Sequence, residues 1–342
     1  VTTASAPAKL ILCGEHAVVY GRPAIALPLA DLRAFASVEP AAPGAGLRLV
    51  AADLGSAWDV AANPERPLSE LALATLAYLG RPTADLTLTL RSAIPIASGM
   101  GSGAALGTAL ARALADWAGV ALAPAQLSKL VYASERRYHG TPSGIDNTVV
   151  AFEQAIWFER GLDDRRPTTD DRAASASPSG RSSVVRRRSS ATHRSSPLIE
   201  PIAIGAPLTL LVGDTGVRSA TMLPVGAVRE RWQAEPAVYE ARFDAIGALV
   251  AQARVALATG DSALLGRLLD SNQRLLEQLG VSSPELERLV AAARAAGALG
   301  AKLSGAGWGG VMLALVTPQT RPAVEAALRA AGATQVLATT VS

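Results

Sequence analysis

The sequence predicts a two-domain protein that mixes helices and strands, of the α+β or the α/β class. Three observations carry that expectation. The chain has 342 residues, about twice what one ordinary core needs. Short apolar runs with strand-like alternation are interleaved with Ala- and Leu-rich stretches of helical length. Two glycine clusters, Ser98–Gly103 and Gly305–Gly310, lie on either side of a long helical half.

The elements follow in order. Leu10-Ile11-Leu12, after Pro7-Ala8-Lys9, predicts a strand. In "GEHAVVYGRPAIALPL" a turn and a short apolar stretch are punctuated by Gly21 and Pro23, and a second strand follows. Leu86-Thr87-Leu88-Thr89-Leu90 alternates cleanly and predicts a half-buried strand. Residues 104–118 are Ala/Leu-rich, with Gly107 the one breaker, and predict a buried helix. Residues 124–138 predict another, with Pro124 near its start. Residues 208–212 predict a strand, residues 225–296 a helical half, and residues 301–316 two apolar segments around the second glycine cluster.

Between these parts, residues 160–199 carry nine Ser, nine Arg and four Asp with little apolar content, which predicts a disordered insert. Its abrupt edges also fit a locally shifted reading frame. The division expected is therefore an N-terminal domain at 1–159, the insert at 160–199 and a C-terminal domain at 200–342.

Composition removes several classes. With 49% hydrophobic and 18% charged residues the chain can bury a full core. Apolar runs are broken well before the roughly 18 residues of a membrane helix, and the start shows no signal-peptide pattern. A cytoplasmic protein without membrane contact is expected. The one cysteine, Cys13, allows no intrachain disulfide and no Cys/His zinc cluster. The net charge of +3 resides in the Arg-rich insert, the rest being slightly acidic, so no nucleic-acid surface is expected.

Four segments carry chemistry. "SGMGSG", Ser98–Gly103, precedes a helix, and its glycines let backbone N–H groups turn toward an anion at the helix N-terminus. No Lys-Ser/Thr pair follows, so it is not a P-loop. On this loop alone an ordinary strand–helix turn stays open. "KLSGAGWGG", Lys302–Gly310, is richer in glycine than a turn requires. "SERRYHGTPSGIDN" places Glu135 late in a helix and Asp146 after a loop, so two carboxylates can meet at one site, one for Mg²⁺ and one for a hydroxyl. "APAKLILCGEHAVVYG" places Lys9 before a strand, where a lysine on its own is ordinarily solvated, and Glu15-His16 in the turn after it.

Taken in this order, the four segments resemble the GHMP kinase superfamily, and within it the mevalonate kinases. The resemblance covers nearly all of the chain outside 160–199. It implies an α+β fold with a ribosomal-S5-like N-terminal domain, a ferredoxin-like C-terminal domain and a site between them. It also implies ATP-dependent phosphorylation of the C5 hydroxyl of mevalonate, a step of isoprenoid synthesis, with ATP and Mg²⁺ as cofactors. By resemblance Ser98, Gly99, Gly101, Ser102 and Gly103 wrap the ATP phosphates, supported by Gly305 and Gly307. Glu135 and Ser102 serve Mg²⁺. Asp146 and Lys9 are catalytic, and Glu15, His16 and Thr221 take mevalonate. The partner implied is this small molecule, with a homodimer left open.

The chain departs from the family loop, Gly-Leu-Gly-Ser-Ser, at Met100 and Gly103. The nearest alternative is another GHMP kinase such as phosphomevalonate kinase, which would need further Lys or Arg at the pocket. A nucleotide-binding protein without catalysis, and a nucleic-acid binder using the insert, are the rivals from other classes. The joint presence of Lys9, Glu135 and Asp146 speaks against the first, and the placement of charge against the second.

Overall fold

In the computed structural model, residues 1–139, 142–161 and 196–342 are described. Residues 162–195 of the expected insert, with Gly140 and Thr141, lie outside the described residues.

The first sheet is built on β2 (Ala24–Pro40), the longest strand. β1 (Thr2–Cys13) runs antiparallel along one edge of it. The other edge is shared end to end by β5 (Leu86–Ser92) and β6 (Ile156–Glu159). β3 (Leu47–Ala51) pairs in parallel with β5, and β4 (Ser56–Asp59) closes that side. β7 (Leu198–Pro201) pairs with β6, so the division expected at 199/200 cuts through a strand of the first sheet. The β1–β2 register slips between Pro7 and Ala8, whose partners are Arg33 and Leu29. Such a bulge bends the strand and re-aims the side chains beyond it, here that of Lys9.

Helix α2 (Ser102–Ala118) lies across β1 and β2. Its alanines let it sit close: Ala104, Ala105, Ala109, Ala111 and Ala113 are all buried. Gly119, at φ 69°, ends it by accepting the left-handed conformation that helix C-termini favour. α1 (Pro67–Tyr78) and α3 (Pro124–His139) flank α2, and α4 (Ile145–Phe152) packs between α3 and the sheet.

The second sheet has four antiparallel strands, ordered β11 (Gln335–Val341), β8 (Leu208–Asp214), β10 (Val311–Val316), β9 (Gly300–Ser304). Counted within this sheet the order is fourth, first, third, second, which is the ferredoxin-like arrangement. The helical half is four helices: α5 (Met222–Ala234), α6 (Pro236–Thr259), α7 (Ser262–Gln278) and α8 (Pro284–Ala295). α9 (Arg321–Ala330) packs on β8 and β11. Among the described residues all strand pairs except β3–β5 are antiparallel, which decides for α+β over α/β. Among the described residues no helix is long and apolar enough to cross a membrane.

α6 ties the halves together. It packs on the one-turn helix Ala17–Tyr20, where Tyr20 stacks on Phe243 at 4.1 Å and Arg22 bonds Asp244 at 3.0 Å. Against β9, α7 approaches to backbone contact. A Cβ on Gly266 would lie 2.1 Å from the Leu299 carbonyl oxygen, and one on Gly300 would lie 2.0 Å from the Gly266 oxygen. No side-chain movement relieves a clash with backbone. Gly266→Ala is expected to cost about 3 kcal/mol or more in urea-induced unfolding, at the upper end for overpacking. Wild-type stability in the variant would show that α7 can stand off the sheet.

Candidate active site

The bulge before Lys9 and the start of α4 bring two charges together. Lys9 is only 2% exposed, and its Nζ lies 2.9 Å from Asp146 Oδ1, whose carboxylate is about one-third exposed. A buried ammonium is costly without a counter-charge, and Asp146 supplies it. Asp146 sits in the first turn of α4, after Gly144 at φ 86°. The helix is pinned from below. Asn147 Nδ2 donates to Ser128 O and Oγ at 3.0 and 2.8 Å, and Thr148 Oγ1 donates to Gly144 O at 2.6 Å.

Glu135, on α3, joins the pair. Burial, and then the nearby Asp146 charge, push its carboxyl up to about 8, against the opposing pull of Lys9. This carboxylate is short of positive charge.

The glycine loop Ser98–Gly103 forms one wall. The backbone N of Lys9 bonds Met100 O at 3.0 Å, which fastens the loop to β1. Gly101, at φ 74°, has its missing side chain replaced by the lysine stem: a Cβ there would lie 2.8 Å from Lys9 Cγ. Ser98 departs from expectation. It is buried and its hydroxyl donates to Pro95 O at 2.8 Å, so it braces the loop from inside and offers an anion only its backbone. Ser102 opens α2, and Gly103 is exposed, with open space where its Cβ would be.

The second glycine loop forms the facing wall. Cβ atoms built on Gly99 and Gly305 would lie 3.5 Å from Ser304 O and 3.6 Å from Gly99 Cα, respectively, so the loops meet backbone to backbone. The small cavity they enclose is lined by Ser98, Gly99, Thr221, Ser304, Gly307 and Gly310. Thr221 stands here beside both loops. A larger cavity of about 330 Å³ begins at Gly103 and is lined by Trp58, Arg66, Leu68, Leu106 and Val131. The Arg66 guanidinium lies 4.7 Å from the Trp58 ring centroid, and the Trp58 indole donates to Ser69 Oγ.

His16 and Glu15 behave differently from each other. His16 Nε2 lies 3.0 Å from Ala306 O, and burial holds the imidazole down to about 4, so it is neutral at pH 7. Glu15, expected to line the acceptor pocket, is a correction. Its carboxylate is 1% exposed, turned inward and ion-paired with the fully buried Lys302. Desolvation raises its pKa while Lys302 opposes the rise. Cys13, next to it, is buried, and its thiol is pushed up to about 12 by burial.

Three polar residues escape a reading of the sequence alone. Lys302 is visible there only as a lysine inside an apolar strand. Asn272 on α7 accepts from Gly14 N at 3.3 Å. Arg160, at the end of β6, is buried beside Val19, and its Nε has no partner among the described residues. Arg218 is already engaged: it forms two bonds to the buried Asp214, at 2.7 and 2.9 Å.

Comparison with known proteins shows the family of the chain. The GHMP kinases N terminal domain matches residues 68–154, and the GHMP kinases C terminal family matches residues 253–334. The mevalonate kinase of Thermococcus sibiricus is 33% identical over 349 residues, covering 96% of this chain and 93% of that protein. The structure of L. major mevalonate kinase in complex with R-mevalonate superposes with a TM-score of 0.78 at 27% identity, covering 100% of this chain and 96% of that one. Streptococcus pneumoniae phosphomevalonate kinase shares the fold, with a TM-score of 0.77 at 18% identity over 99% of this chain and 100% of that one.

Glu135 yields a test by linkage. Its folded pKa, about 8, lies above the ordinary 4.5, so the folded chain holds a proton that the unfolded chain releases. Stability from this group is complete below about 4.5 and is lost as pH rises through 8. Without divalent metal, Glu135→Gln is expected to melt several degrees above wild type at pH 8 and level with it at pH 4. A constant difference across that range in thermal melts would remove the perturbed carboxyl.

Proposed function

Because the chain belongs to the GHMP kinase family, and within it to the mevalonate kinases, we propose that it transfers the terminal phosphoryl group of ATP to the C5 hydroxyl of mevalonate. The products are ADP and 5-phosphomevalonate. The observation that carries the reading is the Lys9–Asp146 pair at 2.9 Å, next to a backbone-walled glycine cleft.

The parts match what phosphoryl transfer demands, which is positioning and charge neutralisation more than covalent chemistry. The phosphates lie against backbone N–H groups of residues 99–103 at the N-terminus of α2, where the helix dipole favours negative charge. The base fits the apolar 330 Å³ cavity that begins at Gly103. Asp146 orients the acceptor hydroxyl and takes its proton as the oxygen bonds to phosphorus and the bond to the ADP oxygen breaks. Lys9, held in place by Gly101 and Met100, neutralises charge at the transferring group.

The residues fit Mg²⁺. Magnesium takes one or two carboxylates together with phosphate oxygens and water, and no all-protein cage. Among the described residues no group of three or more His, Cys, Asp or Glu gathers to form such a cage. Glu135, with Ser102 at the helix start, is the carboxylate that would hold the ion. When bound, Mg²⁺ supplies positive charge to the phosphate oxygens.

The acceptor side favours a substrate with a single carboxylate. Lys302 is committed to Glu15 and Arg218 to Asp214. Arg160, whose guanidinium donates to Val19 O three residues past His16, is the cation assigned to one carboxylate. Phosphomevalonate, with its additional phosphate, would need further free cations.

The test is ADP release with MgATP and mevalonate, phosphomevalonate, galactose or homoserine. Turnover on mevalonate alone, with the 5-phosphate identified by phosphorus NMR, is expected. Turnover on another acceptor alone would move the substrate. Asp146→Ala is expected to lower kcat by about 10²–10⁴-fold with ATP still bound. Gly101→Val is expected to displace Lys9 and weaken ATP binding, and unchanged nucleotide affinity by calorimetry would release that loop from its role. Arg160→Ala is expected to raise the KM for mevalonate about tenfold or more at unchanged KM for ATP.

A further inference from the structure

The turn Gly14–His16 is bent in a way that needs outside support. Gly14 has φ 103° and His16 has φ 60°, the left-handed region in which a residue with a side chain is strained. Gly14 is confined to glycine, since a Cβ would lie 2.5 Å from Ala24 Cα. His16 has no such excuse, and strain of this kind persists only where the surroundings over-determine it.

The support comes from the far half of the chain. Gly14 N bonds Asn272 Oδ1 at 3.3 Å, Glu15 pairs with Lys302, and the His16 ring bonds Ala306 O at 3.0 Å. Each residue of the turn thus has one partner from α7, β9 or the loop after β9. Lys302 is itself seated firmly. β9 is fixed by Gln273 Oε1, which accepts from Leu303 N at 2.8 Å, and by Ser304 Oγ, which bridges Ile11 N and O at 3.1 and 3.0 Å.

A buried ion pair is a poor source of stability, because desolvating both charges offsets their attraction, and apolar residues would fill the same space as well. Glu15 Oε2 and Asn272 Nδ2 also remain without partners among the described residues, a cost that a purely structural contact would not keep. We propose that Lys302 is a positioning residue: its pair with Glu15, assisted by Asn272, clamps the strained turn and so holds the His16 imidazole at the acceptor side of the cleft. This rests on the reading that His16 borders mevalonate.

The experiment compares the full-length chain with Lys302→Met and with the double variant Glu15→Gln/Lys302→Met, which leaves no unpaired charge. Thermal melting, steady-state kinetics and proton NMR titration of the histidines are measured on each. In the wild type the His16 imidazole stays neutral down to about pH 4. In the double variant the melting temperature is expected to return to wild type, while this imidazole titrates near the ordinary value of about 6.5. The KM for mevalonate rises about tenfold or more, with the KM for ATP within about twofold.

A double variant that keeps both the protected imidazole and the wild-type KM would overturn the proposal. So would an equal rise in both KM values. If neither Lys302 variant folds, Asn272→Ala must show the same changes on a smaller scale, and no change would be equally fatal. If the wild type fails to turn over mevalonate, the functional reading falls while the imidazole titration still judges the clamp.

Discussion

A lysine buried to its tip must be met by a carboxylate, and in this fold a large share of local structure serves that meeting. The β1 register slips just before Lys9. Gly101 gives up its side chain so that the lysine stem can pass. α4 starts at a left-handed glycine, which sets Asp146 at the end of that stem, and Asn147 and Thr148 lock the helix in place. The resulting charge pair is stiff, and its acidic member is still open enough to meet a substrate. Glu135 is the by-product of the arrangement. It is drawn into the same low-dielectric corner and left with more negative neighbourhood than one lysine can balance.

Around this pair the cleft walls are backbone. Two glycine loops from different halves approach until only N–H, C=O and Cα–H groups face each other. Such walls are polar without being charged, and they cost no side-chain entropy when a ligand settles. The specific charges are few and mostly committed in advance: Lys302 to Glu15 and Arg218 to Asp214.

Much of this is legible in the residues. The helix α2 declares itself through an Ala/Leu run ended by Gly119, and β5 through strict alternation. The glycine loops, Glu135 and Asp146 are recognisable because their chemistry needs particular residue types in particular local order. The hidden parts depend on partners far away in the chain. β1 reaches back to Thr2 through polar residues that only the pairing with β2 turns into strand. β3 and β4 are only five and four residues long, too short for their alternation to stand out before β4 closes the edge of the sheet. Glu15 is a pocket carboxylate by resemblance alone, and nothing in its local sequence shows that it turns inward to a distant lysine. Its partner, Lys302, shows in the sequence only as a lysine inside an apolar strand, and the fold alone brings β9 against the turn that carries Glu15.

The span between those two residues has a consequence in time. They are 287 positions apart, and Ile11 and Ser304 are 293 apart. Closing a loop of almost the whole chain is entropically slow compared with forming a helix or hairpin. During synthesis β1, with its lysine and its bent turn, is made well before β9 and must wait for it before the turn can take its final path. The first sheet can gather while that wait lasts, but the cleft cannot. In this molecule the cleft is complete only when β9 has met the turn after β1, 287 positions away.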